Sequence, residues 1–299
     1  MTTKSFTSGQ RDQIKRLGSE VVGDVLVELA LDREQAQKLL MNGGEFKKRL
    51  RDSVAEAMRE FSLSVSDEYA DEEAPSSYGY LSGYKPRPVA EQMAALKGLF
   101  PGLKSFDENA ATKLLPPGAE GMFLIPRWQE IAPTYGQAVE LVLAKLAETR
   151  NGRFVNYREN QLGPNQLRQS AKKIAFFKKL GKEQTGHDVL VVAAQFGLRH
   201  AGKSVRRARV VMGGNECGLG AFEVGIMLLT HPDRLAEYDD LWIDCAGDEY
   251  APESGGGFCS APYFRFSDEG LGFGTDGLDY PHGGCGSASA VVLPSECQS

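Results

Sequence analysis

Three apolar runs constrain the last third of this chain more than any other feature. HDVLVVAAQF (187–196) is short and nearly continuous, the pattern of a buried strand. LGAFEVGIMLL (219–229) predicts a buried helix stopped near His231 and Pro232. LWIDCA (241–246) predicts another core strand. After Asp248 the texture changes to Gly, Ser, Asp and aromatics, with only short alternating pieces: APYFRF (261–266), LGFGT (271–275) and ASAVVL (288–293). A chain of this kind must build a compact core from short elements and long ordered loops.

The first sixty residues read differently. Ile14, Leu17, Val21, Val25 and Leu29 recur at helical spacing, with Ser8 as a candidate N-cap. Asp32 with Gln35 fits a capping box for a second helix, which Gly43 and Gly44 would end. Phe46, Leu50, Val54, Met58 and Phe61 form a third apolar stripe, flanked by Lys47, Lys48, Arg49 and Arg51 as a solvated face. Residues 62–90 are acidic and then rich in Pro, Gly and Ser, which is linker chemistry. Tyr69, Tyr78, Tyr80 and Tyr84 punctuate them and are expected to pack on the chain's own next domain. Helices are predicted at 89–100, 134–149 and 165–180, and a short strand at 121–125. The division expected is a helical region (1–61), a linker (62–90), a mainly helical middle region (91–186) and a C-terminal domain (187–299).

No apolar run approaches the ~20 residues of a membrane helix, and the opening text MTTKSFTSGQRDQIKRLG lacks the apolar stretch expected of a secretory signal. A cytoplasmic location is the default expectation, with surface display by another route left open. The net charge of -6 combines unlike parts. Residues 151–210 carry 13 basic and 3 acidic side chains; residues 211–299 carry 2 basic and 15 acidic. The two segments are expected to attract each other rather than to grip nucleic acid. The alternative is a metal-dependent enzyme or nucleic-acid-binding protein that uses the basic 165–209 segment with Asp244, Asp248 and Glu249.

The five cysteines, Cys217, Cys245, Cys259, Cys285 and Cys297, are odd in number and show no CxxC spacing, so free thiols are expected. Cys217 in GGNECGLG, with His200 or His231 as base, is a candidate nucleophile, but a Gly-rich turn before a helix accounts for the same residues. No cofactor is expected. A structural calcium held by Asp244, Asp248, Glu249, Asp276 and Asp279 is left open: the text resembles a calcium-binding loop only loosely and fits neither the EF-hand loop nor a clear nonapeptide repeat. No Walker A, HExxH, GxSxG or dinucleotide motif occurs.

The tail has an unusual alphabet. In residues 256–290 Lys, Gln, Met and Trp are absent and Glu occurs once, at Glu269. These five residue types make up 62 of the 299 positions, so about seven would fall in this window by chance. They are the types with no codon ending in a pyrimidine, and a mutagenised AAY codon yields only the other fifteen. The stretch DGLDYPHGGC (276–285) mixes acidic, aromatic, imidazole, thiol and glycine residues without period.

On these features, with FGLRHAGKSVRRARVV (196–211), GIMLLTHPDRLAEYDDLWIDCAGDEY (225–250), APYFRF, LGFGT and GSASAVVLP (286–294), the chain resembles a variable protein of a diversity-generating retroelement. The resemblance implies a C-terminal C-type-lectin-like domain, the fold shared with formylglycine-generating enzymes, in an α+β chain with a helical N-terminal region. It implies a scaffold of Leu228, Leu229, Leu235, Leu241 and Trp242. It also implies a closing strand with Ser287, Ala288, Ser289 and Val291. The implied ligand surface comprises Tyr263, Arg265, Asp276, Leu278, Asp279, Tyr280, Pro281, His282 and Cys285. The expected function is non-enzymatic binding of a protein or small-molecule ligand.

Overall fold

The computed structural model describes residues 8–62, 68–253, 256–268 and 270–293. The chain is α+β and divides into two units at Ser64/Val65. The first unit holds three helices, α1 (Ser8–Leu29), α2 (Arg33–Met41) and α3 (Gly43–Ser62). Asp32 caps α2 through a reciprocal capping box with Gln35. Ser8 is the first helical residue of α1 rather than its cap. Asn42 closes α2, so Gly43 and Gly44 open α3 instead of ending α2. The side chains of Ile14, Leu17, Met58 and Phe61 lie outside the described residues, while Val21, Val25, Leu29, Phe46 and Val54 are exposed.

The second unit runs α4 (Val89–Leu99), α5 (Glu108–Ala111), β1 (Gly121–Pro126), α6 (Tyr135–Thr149), β2 (Phe154–Asn156) and β3 (Leu167–Gln169). It continues α7 (Ala171–Glu183), β4 (Val189–Gln195), α8 (Val205–Val211), β5 (Glu216–Gly218) and α9 (Ala221–Thr230). It ends β6 (Trp242–Asp244), β7 (Asp248–Tyr250), β8 (Ser260–Ser267), β9 (Gly270–Gly277), β10 (Cys285–Ser287) and β11 (Ser289–Val291). One sheet has the order β1-β4-β11-β5 and is antiparallel throughout. The other runs β10-β6-β8-β7-β3, with β9 along β8 and β2 along β9. All seven residues of β4 are buried, as a strand covered on both faces requires. All ten of α9 are buried too, α9 packing on α6 and β1. Phe123, Val142, Val191, Phe222, Ile243, Phe264 and Phe273 share one core.

The closing segment joins the sheets. β10 pairs in parallel with β6 in one, and two residues later β11 pairs with β4 and β5 in the other. Gln195 Nε2 donates to the Ser287 carbonyl (2.9 Å) and to Ser289 Oγ (2.8 Å), which fixes the crossover. Gly197, at φ 124°, makes the same crossing possible: a Cβ there would sit 2.5 Å from the Gly286 carbonyl oxygen.

Residues 68–90 are tied into the second unit. Glu72 bonds Ser204 and Arg206, and Glu73 bonds Arg207 (2.5 Å). Tyr84 is buried against Phe196 and His231, and Tyr80 donates to Glu120 (2.5 Å). The middle region likewise belongs to the common core, since β1, α6 and α9 pack together. The helix read from 165 begins at Ala171, because Leu167, Arg168 and Gln169 pair with Tyr250, Glu249 and Asp248 and Ser170 then caps α7.

Candidate functional site

Strand alternation sends Ile243, Phe264 and Phe273 into the core. It therefore turns Trp242, Asp244, Tyr263, Arg265 and Gly274 to the opposite face, in register across β6, β8 and β9. There the aromatic rings form a row. Trp242 stacks on Tyr263 (centroids 5.8 Å apart, planes at 16°) and on His282 (5.9 Å, 28°). His282 stacks in turn on Tyr280 (6.1 Å, 19°). The guanidinium of Arg265 lies 5.2 Å from the Trp242 ring centre, 5.5 Å from Tyr157 and 5.9 Å from Tyr263, within cation–π range. Gly274 leaves the floor open for the Tyr263 ring, since a Cβ there would meet Tyr263 Oη at 2.7 Å. A pocket of about 600 Å³ opens among Tyr78, Tyr157, Tyr238, Trp242, Arg265 and His282. Asp239 and Asp268 also line it.

Of the predicted surface residues, Tyr263, Arg265, Tyr280 and His282 join this row, and Cys285 sits in register with Trp242, its Sγ 3.7 Å from His282 Nδ1. Burial, with Asp244 and Asp276 nearby, pushes the Cys285 thiol up, so it is not a poised nucleophile. Asp276 is exposed and close enough to Asp244 to raise it. Burial first, and Asp276 second, push the Asp244 carboxyl up to about 7. Pro281 is half-buried and leads into Gly283, whose carbonyl accepts from Ser76 Oγ (2.5 Å). Residues 75–78 thus brace the tract read as variable. Leu278 is placed elsewhere: it packs against Val205, Ala208 and Met212, because Arg206 N–H binds its carbonyl and draws the turn onto α8. Asp279 is exposed and contributes to the electrostatic surroundings of Arg206.

Trp242, assigned to the scaffold on sequence, is therefore part of this face, and Tyr78, Tyr157 and Tyr238 had no assignment in it. The alternation of Trp242 with the apolar Ile243 is the signal that places Trp242. The three tyrosines come from distant segments and carry no local sign of convergence.

The other candidates separate. Asp248 is buried at the centre of a network in which Lys173 Nζ donates to Asp248 (2.8 Å), Glu223 (2.6 Å) and the Tyr135 hydroxyl (2.7 Å). Tyr135 donates to Asp248 (2.6 Å), as does the Ala221 amide (2.8 Å). Burial opposes the Lys173 charge, but Asp248 and Glu223 outweigh it and hold the ammonium protonated. Burial pushes Glu223 up. Glu249 faces Arg168 instead (2.6 Å). Asp244, Asp248 and Glu249 therefore do not converge, and among the described residues no three metal-donor side chains cluster. Cys217 is buried, its thiol pushed up to about 12 by burial, and its Sγ faces the Gly218 carbonyl. His200 bonds Glu216 (2.7 Å) and His231 accepts from the Arg87 amide (3.0 Å), so neither serves Cys217 as a base. Burial opposes ionisation of Glu216, but the bonds from His200 and Ser289 and the charge of Arg199 hold it at about 2.

The basic segment finds partners on both sides. Lys173 and Arg168 meet the acidic C-terminal third, while Arg206 and Arg207 meet Glu72 and Glu73 of the segment read as a linker. No described helix is long and apolar enough to cross a membrane. No protein-family model, no curated protein and no solved structure matches the chain.

Proposed function

We propose that this chain is a non-enzymatic ligand-binding protein of the kind diversified by a retroelement. Its C-terminal domain would be C-type-lectin-like, presenting the face around Trp242, Tyr263, Arg265, Asp276, Tyr280, His282 and Cys285 to a protein or small-molecule ligand. The observation that carries this reading is convergence. Residues from the stretch with the restricted alphabet, on β8, β9 and the turn before β10, meet on one accessible face. Beneath Tyr263 and Arg265 the backbone is hydrogen-bonded strand to strand, and Ile243, Phe264 and Phe273 point the other way. Side chains there can change without disturbing the core. Stacked aromatics beside one cation and flexible polar groups also make the mixed surface by which antibody loops bind.

The order of elements supports the same reading. A buried helix and a core strand precede the tract, and β10 and β11 then anchor it, one to each sheet. The test is the DNA around the coding region. A reverse-transcriptase gene and a near-copy of the 3′ end, differing from it at adenines, are expected. Absence of both, or codons for 276–285 that end mostly in purines, overturns the proposal.

A further inference from the structure

A second cavity, of about 540 Å³, lies away from the aromatic row, between α7 and the end of β1. That volume falls within the ~300–1,000 Å³ of small-ligand sites. Trp128, Ile174 and Phe177 supply apolar walls, and Ile174 is 50% exposed although it faces this hollow rather than the rim of a packed helix. Glu223 lies at the floor, 3% exposed, 2.6 Å from the Lys173 ammonium that it shares with Asp248. Arg127 forms one wall and is fixed there by the carbonyls of His187 (2.7 Å), Gly181 (2.8 Å) and Gln184 (2.9 Å). Lys178 and Lys182 stand one helical turn apart on α7, both exposed and both lining the cavity. Neither has an ion-pair partner among the described residues; the neighbouring pair on α7 is Lys179 with Glu183.

The charges decide the ligand class. Three cations, Arg127, Lys178 and Lys182, border the cavity against one carboxylate, Glu223. An apolar hollow with a net positive mouth suits a molecule with an aromatic or branched apolar body and one anionic group. The body would displace water from Trp128, Ile174 and Phe177, while the anion would stay at the surface between the two ammonium groups. We propose that this cavity is a binding site for small amphipathic anions, a sulfonate, carboxylate or phosphate on an apolar body, held by Lys178 and Lys182. The site shares no residue with the aromatic row, so it does not depend on that surface being variable.

The test titrates the full chain with 8-anilinonaphthalene-1-sulfonate by calorimetry and fluorescence. One saturable site is expected. The double variant Lys178→Glu/Lys182→Glu should weaken it at least tenfold while leaving the near-UV circular dichroism unchanged, since both side chains are exposed. Ile174→Trp, which fills the hollow without altering charge, should also weaken it at least tenfold and gives the reading if the double variant does not fold. Trp242→Ala should leave the affinity within twofold. Absence of saturable binding, or affinity unmoved by both cavity changes, overturns the proposal. So does loss of binding on Trp242→Ala, which would place the probe on the aromatic row.

Discussion

Replacing Lys173 by Met is the sharpest perturbation of this core. The ammonium is fully buried and contacts Glu223 at 2.6 Å, Asp248 at 2.8 Å and the Tyr135 hydroxyl at 2.7 Å. Met fills much of the same volume but leaves two buried carboxylates without their cation. Removing one partner of a buried ion pair costs about 3–5 kcal/mol. The upper end is expected at pH 8, because two carboxylates lose the same partner.

The loss should also depend on pH. Glu223 is already raised by burial and by Asp248, and without Lys173 it rises further. A carboxyl raised in the fold contributes stability below its unfolded value, and that contribution disappears as pH climbs through the folded value. Protonation at pH 5 should therefore recover on the order of 2 kcal/mol, at about 1.4 kcal/mol for each tenfold change in the carboxyl's proton affinity. Urea denaturation followed by tryptophan fluorescence reads this directly, since Trp128 and Trp242 both belong to the second unit. Lys179→Met, an exposed change on the same helix, should cost less than about 0.5 kcal/mol. A Lys173→Met cost below about 1 kcal/mol at both pH values, or a cost independent of pH, would refute this account of the network.

Three further outcomes follow from the packing. Leu278→Asp should destabilise by about 1–3 kcal/mol, because it puts a carboxylate against Val205, Ala208 and Met212, whereas Tyr280→Asp should stay within about 0.5 kcal/mol; equal effects in thermal melts would contradict the placement of the two side chains. Asp244→Asn should stabilise by up to about 4 kcal/mol at pH 8 and by almost nothing at pH 4, because the raised carboxyl costs stability only as pH rises from its unfolded value toward 7; a pH-independent difference in denaturation midpoint would contradict it. His231 is held near 4 by burial, so its neutral ring stabilises the fold above its unfolded value, and up to about 3 kcal/mol is lost as pH falls from 6.5 to 4. An imidazole resonance assigned to His231 by its absence in His231→Gln and titrating near 6.5 in the folded protein would contradict that environment.

The core was legible where burial leaves little choice. A strand covered on both faces must be apolar at every position, and β4 announces itself for that reason; α9 does the same. Lys172 and Lys173 show the limit. They are adjacent and chemically identical, yet Lys172 is exposed while Lys173 is buried. The difference arises where α7 meets the start of α9 and β7, three segments far apart in the chain, and no local pattern carries it. The acidic segment around Glu72 misled for a similar reason. Like charges with Pro and Gly resemble a linker until Arg206 and Arg207 on α8 supply their counter-ions. The basic text of α8 itself showed no apolar stripe by which to read a helix.

The candidate face divides along the same lines. The restricted alphabet falls on β8, β9 and the turn before β10, and residues of those segments share the aromatic face. It could not distinguish Tyr280, which stacks in the open, from Leu278, which turns inward two residues earlier. Nor could it include Trp242, which lies outside the alphabet and outside the window.

Deep sequencing of the 3′ end of the coding region across a population of cells tests the central claim most directly. Substitutions are expected at the codons of Tyr263, Arg265, Asp276, Tyr280, His282 and Cys285, each explained by change at a template adenine. Trp242, Ile243, Phe264, Phe273 and Ser287 should stay constant. Variation spread evenly over the chain, or none at the six codons, would contradict the assignment of this face as a diversified ligand surface.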